Sequence, residues 1–187
     1  MYDGFINAVK DVFGKKVPVV IDRFHVAMLY RQCLVSLRKQ ELRRLKKELS
    51  VEEYHALKPA IALLCHEKEF ITEDEKKIIA PLFKYSPLLK AAYTFCCQLT
   101  AIYNSHIDSI ISHKKINHWI ESVEASELVC FDKFISTLKK YQKLVENYFL
   151  NRYSSGFVEG INNKVKVMKR RCYGIYNLKH FFQRLFL

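Results

Sequence analysis

One short run constrains this chain more than any other feature. It is Val17-Pro18-Val19-Val20-Ile21, apolar and β-branched, and it stops abruptly at Asp22. Such a run predicts a buried β-strand over residues 17–21. Before it, Phe5, Ile6, Val9, Val12 and Phe13 recur at helical spacing, and Gly14 offers a C-terminal cap. Helix, turn and strand make one α/β unit. No second strand of comparable quality follows, and a lone strand cannot make a sheet. The expectation is therefore a piece of a larger fold, its partner strands outside these residues or in another chain.

The rest reads as helix. Val26, Leu29, Tyr30, Cys33, Leu34 and Leu37 form an apolar stripe. Ser50 with Glu53, and Thr72 with Glu75, are capping-box pairs that start new helices. Ser86-Pro87 predicts an N-cap with proline at the first helical position. Leu88, Ala92, Phe95, Leu99, Ile102, Tyr103, Ile107, Ile110 and Ile111 then predict one long helix, and Phe131, Phe134, Ile135, Leu138, Val145 and Tyr148 another. These stripes are core, and Trp119 is a packing anchor. Residues 151–156 (NRYSSG) are turn-like and end the helical block. In the helix that follows, Val158, Ile161, Val165, Met168 and Cys172 share a narrow arc that predicts a packed back, with Glu159, Asn163, Lys166 and Arg170 opposite. Tyr173-Gly174 stops it. Asn177 caps a last helix with an apolar face of Leu178, Phe181, Phe182, Leu185 and Phe186.

Composition narrows the function class. The six cysteines follow no metal-ligand spacing and sit in apolar helical contexts, where free thiols act as small core residues in a reducing compartment. No apolar run approaches the roughly 18 residues needed to cross a bilayer. Met1-Tyr2-Asp3-Gly4 lacks the pattern of a signal peptide, so the expectation is a soluble, intracellular protein with no membrane partner. A formal charge of +12 makes nucleic acid the first candidate partner. The cations Arg38, Lys39, Arg43, Arg44, Lys46 and Lys47 crowd one helix, where a solvated face is the ordinary explanation. Lys164, Lys166, Lys169, Arg170 and Arg171 are better phosphate contacts, because they share a helix with Glu159.

Two carboxylates stand out. Asp22 ends the predicted strand, where active-site groups of α/β folds collect, and it equally suits the N-cap of the next helix. Arg23 could pair with it, Phe24 would be core, and His25 reads as a structural histidine. Glu159 suits the positive end of its helix. Taken together, a carboxylate after a strand and a second on a basic-faced helix are parts of a two-metal phosphoryl-transfer site, because hard Mg²⁺ ions require oxygen ligands.

The segments Val-Ile-Asp-Arg-Phe-His (20–25), Ser-Ser-Gly-Phe-Val-Glu-Gly-Ile-Asn-Asn-Lys-Val-Lys (154–166) and Lys-Arg-Arg-Cys-Tyr-Gly-Ile-Tyr-Asn (169–177) resemble a family of bacterial insertion-sequence transposases. These are DDE enzymes with an RNase H-like catalytic domain, marked by a DRFH motif and a distal EGxN motif, and the resemblance covers essentially the whole chain. It implies a mainly α fold with one short β-strand, namely a partial RNase H-like domain carrying a large all-helical insertion. Residues 1–25 would be a remnant of the RNase H-like core, 26–150 the insertion, and 151–187 the C-terminal helices of the core. It further implies nicking of element ends and strand transfer on DNA, two Mg²⁺ ions for which Mn²⁺ can substitute, and a homo-oligomer in the full-length form. The setting would be the bacterial cytoplasm, associated with the nucleoid. Asp22 and Glu159 match the second and third acids, as catalytic and metal-binding residues. Arg23, His25, Asn163, Lys164, Lys166, Lys169, Arg170 and Arg171 become the DNA-contacting set.

The first acid of the family would fall just upstream of Met1. Asp3 has a different spacing and reads as a helix N-cap. The resemblance therefore implies an N-terminally truncated chain, inactive alone, with residues 17–21 left as an exposed edge. The rival reading is a non-catalytic helical remnant that binds DNA or dimerises. A third is a pseudogene product.

Overall fold

Every regular element among the described residues is a helix. The computed structural model describes residues 3–14, 16–64, 72–172 and 177–185. In chain order the helices are α1 (Asp3–Phe13), α2 (Arg23–Glu48), α3 (Val51–Ala56), α4 (Lys58–Leu63), α5 (Glu73–Tyr85) and α6 (Pro87–Asn104), then α7 (Ser109–Ala125), a 3-10 turn (Val129–Phe131), α8 (Asp132–Glu146), α9 (Tyr148–Asn151), α10 (Gly156–Arg171) and α11 (Leu178–Leu185). The chain divides into two compact units, Met1–Arg152 and Tyr153–Leu187.

The caps read from the sequence start these helices. Ser50 and Thr72 each accept from the backbone three residues on, and Glu53 and Glu75 return the bond to the cap's own N–H. Ser86 accepts from Leu89 N at 3.3 Å with Pro87 in the first turn of α6. Gly14 adopts φ 83, the left-handed conformation that ends α1 at least cost for glycine.

The first unit is built around α2. That helix packs on α6, the 3-10 turn and α8, while α7 packs on α6 and α8. Val26, Tyr30, Leu34, Leu37 and Leu45 are buried along its inner face. The apolar stripe of the sequence thus becomes core, each such side chain stabilising the fold by roughly 1.5–3 kcal/mol. Trp119 is buried, edge-on to Phe95, Phe131 and Phe134, and its Nε1 donates to Phe95 O at 2.9 Å. Thr100 Oγ1 donates to Cys96 O, so the Tyr30 hydroxyl is the donor in its 2.7 Å bond to Thr100.

The expected β-strand is absent, and with it the expected fold class. No strand or sheet occurs among the described residues, and the RNase H-like topology is not found. Residues 17–21 form an irregular segment held by a helix end. Ile21 N donates to Leu144 O at 3.0 Å, and Val19 O accepts from Asn147 Nδ2 at 2.8 Å. The Leu144 carbonyl, in the last turn of α8, thus satisfies the segment's N–H in place of a neighbouring strand, and the Asn147 side chain satisfies one of its carbonyls. Pro18 adds to this, because it has no N–H to give to a ladder. Nor is the segment a bare edge, since Val20 and Ile21 pack partly buried against the core.

Other expectations change in detail. The long helix predicted through Ile111 breaks between α6 and α7. Asp108 starts α7 by accepting from Ile111 N at 2.7 Å, which fixes the break. Asp3 is no N-cap but the first residue of α1. Its carboxylate joins Lys140 Nζ at 2.6 Å and the Tyr141 hydroxyl at 2.5 Å, docking α1 on α8, and these bonds hold it below the usual aspartate range. In the second unit no residue of α10 is buried, so its apolar arc is not the packed back that periodicity suggested. Asn177 does cap α11, accepting from Lys179 N at 2.9 Å. Tyr173, Gly174 and Phe186 lie outside the described residues.

Candidate functional site

Asp22 is buried at the N-terminus of α2. Its Oδ1 accepts from Phe24 N at 2.9 Å and its carbonyl from His25 N at 3.1 Å. The residue therefore performs the capping role that the sequence allowed it. Its backbone is extended (φ −60, ψ 136), so the preceding segment, fastened to α8, runs directly into the cap.

Arg23, the next residue, is directed by another element. Its Nη2 donates to Asn104 Oδ1 at 2.7 Å, at the last residue of α6. The same helix end receives Arg152, whose Nη1 and Nη2 donate to Ser105 O at 2.8 Å and Tyr103 O at 2.9 Å. Two guanidinium groups thus meet the negative end of the α6 dipole. Arg152 also lies over the Tyr148 ring at 5.4 Å and adopts φ 54 in the turn after α9. Sequence reading missed Asn104, Asn147 and Arg152. The turn-like composition of residues 151–156 marks a break but not its partners, which lie far away along the chain.

Phe24 is 60% exposed rather than core, and His25 is exposed beside it, their rings edge-to-face at 6.0 Å. In the second unit Glu159 occupies the first turn of α10, exposed, and accepts from the Ser155 hydroxyl at 2.7 Å. Asn163, Lys164, Lys166, Lys169, Arg170 and Arg171 follow on the same helix, all exposed. A carboxylate near the positive helix end and cations in the last turn both complement the macrodipole. They also give α10 a surplus of positive charge suited to phosphate.

The two candidate acids belong to different units, Asp22 to the first and Glu159 to the second. Among the described residues no three His, Cys, Asp or Glu side chains cluster as a metal site. The donor chemistry of both residues suits a hard divalent ion, but the described residues do not amount to a complete ligand set for one. Three of the thiols, Cys33, Cys96 and Cys130, offer no alternative chemistry. Burial pushes Cys33 and Cys130 up to about 11 and Cys96 well above its ordinary value, the opposite of an activated nucleophile. Cys65 lies outside the described residues.

A family model described as transposase, of the ISL3 DDE kind, matches residues 1–185. The chain belongs to this transposase family. It is also 24% identical over 168 residues to the transposase for insertion sequence element IS1001 of Bordetella parapertussis, a match covering 89% of this chain and 41% of that relative. This transposase chain therefore spans about two fifths of the curated relative's length. No solved structure matches it. Among its described residues, no helix is long and apolar enough to cross a membrane.

Proposed function

We propose that this chain carries two of the acids and part of the DNA-contacting surface of an insertion-sequence transposase that nicks element ends and transfers strands by metal-dependent phosphoryl transfer. The observation that carries the reading is α10. Its first turn holds Glu159, and five exposed cations follow on a helix of a chain that matches the transposase family over residues 1–185. A phosphodiester backbone is the polyanion such a helix suits.

In this reading Asp22 and Glu159 supply carboxylate oxygens to a pair of Mg²⁺ ions, with Mn²⁺ able to replace them, and a further ligand comes from beyond the described residues. Such ions supply charge neutralisation at the reacting phosphate. The chain's own contribution is positional. Asp22 is fixed by its cap, and Lys164, Lys166, Lys169, Arg170 and Arg171 neutralise phosphates, with Asn163, Arg23 and His25 as accessory polar contacts. The expected partners are element-end and target DNA, and a second copy of the transposase.

The test is an end-nicking assay with Mg²⁺ or Mn²⁺, using the transposase that contains this region. Asp22→Asn and Glu159→Gln should each abolish nicking while leaving DNA affinity within a few-fold. Full nicking by both variants would remove the catalytic reading and leave a helical DNA-binding or dimerisation module.

A further inference from the structure

The first unit carries a basic surface that the carboxylate site does not use. The buried residues of α2, namely Val26, Tyr30, Leu34, Leu37, Glu41 and Leu45, define its inner face. At about 100° per residue, Lys39, Arg43 and Lys46 fall within an arc of about 60° on the diametrically opposite side, with Lys47 about 40° beyond its edge. All four are exposed.

A solvated charge run is usually laced with acids at i±3 and i±4. The helix has two acids, and both are committed elsewhere. Glu41 and Glu48 both bind Arg44, and Glu41 also accepts from the buried Ser86 hydroxyl. Among the described residues no carboxylate reaches Lys39, Arg43, Lys46 or Lys47. Some other surface lysines pair with acids, as in Lys76–Glu73, Lys77–Asp74 and Lys139–Glu124. The helix dipole accounts for Lys46 and Lys47, which lie in the last turn. It does not account for Lys39 and Arg43 further in.

We infer that this outer face of α2 is a second phosphate-backbone contact surface of the transposase, taking duplex DNA independently of α10. The inference rests on the DNA reading above. From Lys39 to Lys47 the helix rises about 12 Å. That is about the axial span of three to four phosphates of one strand. Gln32, Ser36 and Gln40 continue and flank the stripe on one side as polar residues, while half-exposed Met28 continues it towards the N-terminus and Val35 and Leu42, both partly buried, border the other side. A membrane-surface helix would place apolar side chains beside its cations, to enter the acyl boundary. Here the apolar side of the helix is already buried in the core.

The experiment is equilibrium binding of the 187-residue chain to a labelled duplex of about 30 base pairs across about 50–300 mM salt, where each phosphate contact contributes about 0.9 to the log–log slope. Circular dichroism verifies folding. In Lys39→Gln/Arg43→Gln/Lys46→Gln/Lys47→Gln the slope should become shallower by about two to four, with affinity at about 100 mM salt falling at least tenfold. The charge-keeping variant Lys39→Arg/Arg43→Lys/Lys46→Arg/Lys47→Arg should bind like the parent. Should the quadruple variant lose helicity, Lys39→Gln/Arg43→Gln should show about half the slope change. An unchanged slope in these neutralised variants, alongside lost binding in Lys166→Gln/Lys169→Gln/Arg170→Gln, overturns this inference and leaves the reading of α10 intact. A parent chain that binds no duplex removes both. Loss of binding to vesicles of anionic phospholipid with DNA binding retained would overturn it in favour of a membrane surface.

Discussion

Arg23 donates to Asn104 Oδ1 at 2.7 Å, joining residues 81 apart in the chain. The bond lies at the point where α2 begins and α6 ends, and Arg152 binds the carbonyls of that same α6 terminus. Arginine in the Asp-Arg-Phe-His motif therefore has a structural task whatever else it does. It aligns the first turn of α2, and with it the Asp22 cap, against a long helix of the core.

Replacing Arg23 with alanine should cost stability as well as any DNA contact. It removes a half-buried charged hydrogen bond, worth about 1–2 kcal/mol net, and leaves the Asn104 carbonyl without that donor. Urea unfolding of Arg23→Ala and Asn104→Ala should show similar losses that do not add in the double variant. Additive losses would mean the two side chains act separately.

Asn147→Ala tests how the segment before Asp22 is fastened. The variant loses the bond to Val19 O but leaves the Ile21 N–H on Leu144 O. Hydrogen exchange should accelerate at residues 19–22 by about tenfold, with global stability falling by only about 1 kcal/mol. Equal acceleration throughout α8 would instead indicate that the whole helix end is destabilised.

Glu41 gives the fold an acid-sensitive joint. Its carboxylate is buried, and the Arg44 guanidinium holds it below the usual glutamate range, aided by the Ser86 hydroxyl at 2.5 Å and opposed by burial. A group whose folded value is depressed contributes stability above its unfolded value and loses it as pH falls through the folded one. The urea midpoint should therefore fall as pH drops from about 6 to about 3, and Glu41→Gln should flatten that fall. Ser86→Ala should cost about 1–3 kcal/mol near neutrality, because it strips a partner from a buried charge.

Tyr103→Phe should have the opposite sign. The Tyr103 ring is buried and stacks on Phe149 at 5.4 Å, while its hydroxyl has no hydrogen-bond partner among the described residues. Removing that hydroxyl should leave stability unchanged or raise it by up to about 1 kcal/mol. A thermal midpoint lowered by several degrees would indicate that the hydroxyl is in fact satisfied.

Local signals were legible in the sequence and long-range ones were not. Capping boxes at Ser50 and Thr72, the Ser86-Pro87 start and the apolar stripe of α2 all depend on neighbours within a few residues, and each forms as read. Residues 17–21 failed because a strand exists only with a partner, whereas the carbonyl at Leu144 satisfies the same N–H from a helix end. Composition matched both outcomes, and Pro18 was the one dissenting residue. The α10 arc failed for a related reason. Periodicity reports that an apolar face exists, not that the chain supplies something to cover it. Asp22 was legible in part. Both of its readings followed from the sequence, and the geometry places it in the cap.

That dual role can be separated by chemistry. Asparagine caps a helix about as well as aspartate, whereas alanine at an N-cap costs about 0.5–2 kcal/mol. Asp22 Oδ1 accepts from Phe24 N, and an asparagine carbonyl in the same rotamer can take that bond. Asp22→Asn should therefore unfold within about 0.5 kcal/mol of the parent chain, and Asp22→Ala should be clearly weaker. If the carboxylate is needed only as a cap, the full transposase carrying Asp22→Asn keeps its end-nicking activity. If its negative charge serves the reaction, the stable asparagine variant loses nicking. Loss of folding in Asp22→Asn itself would show that the charge, and not the cap geometry, holds the start of α2 in place.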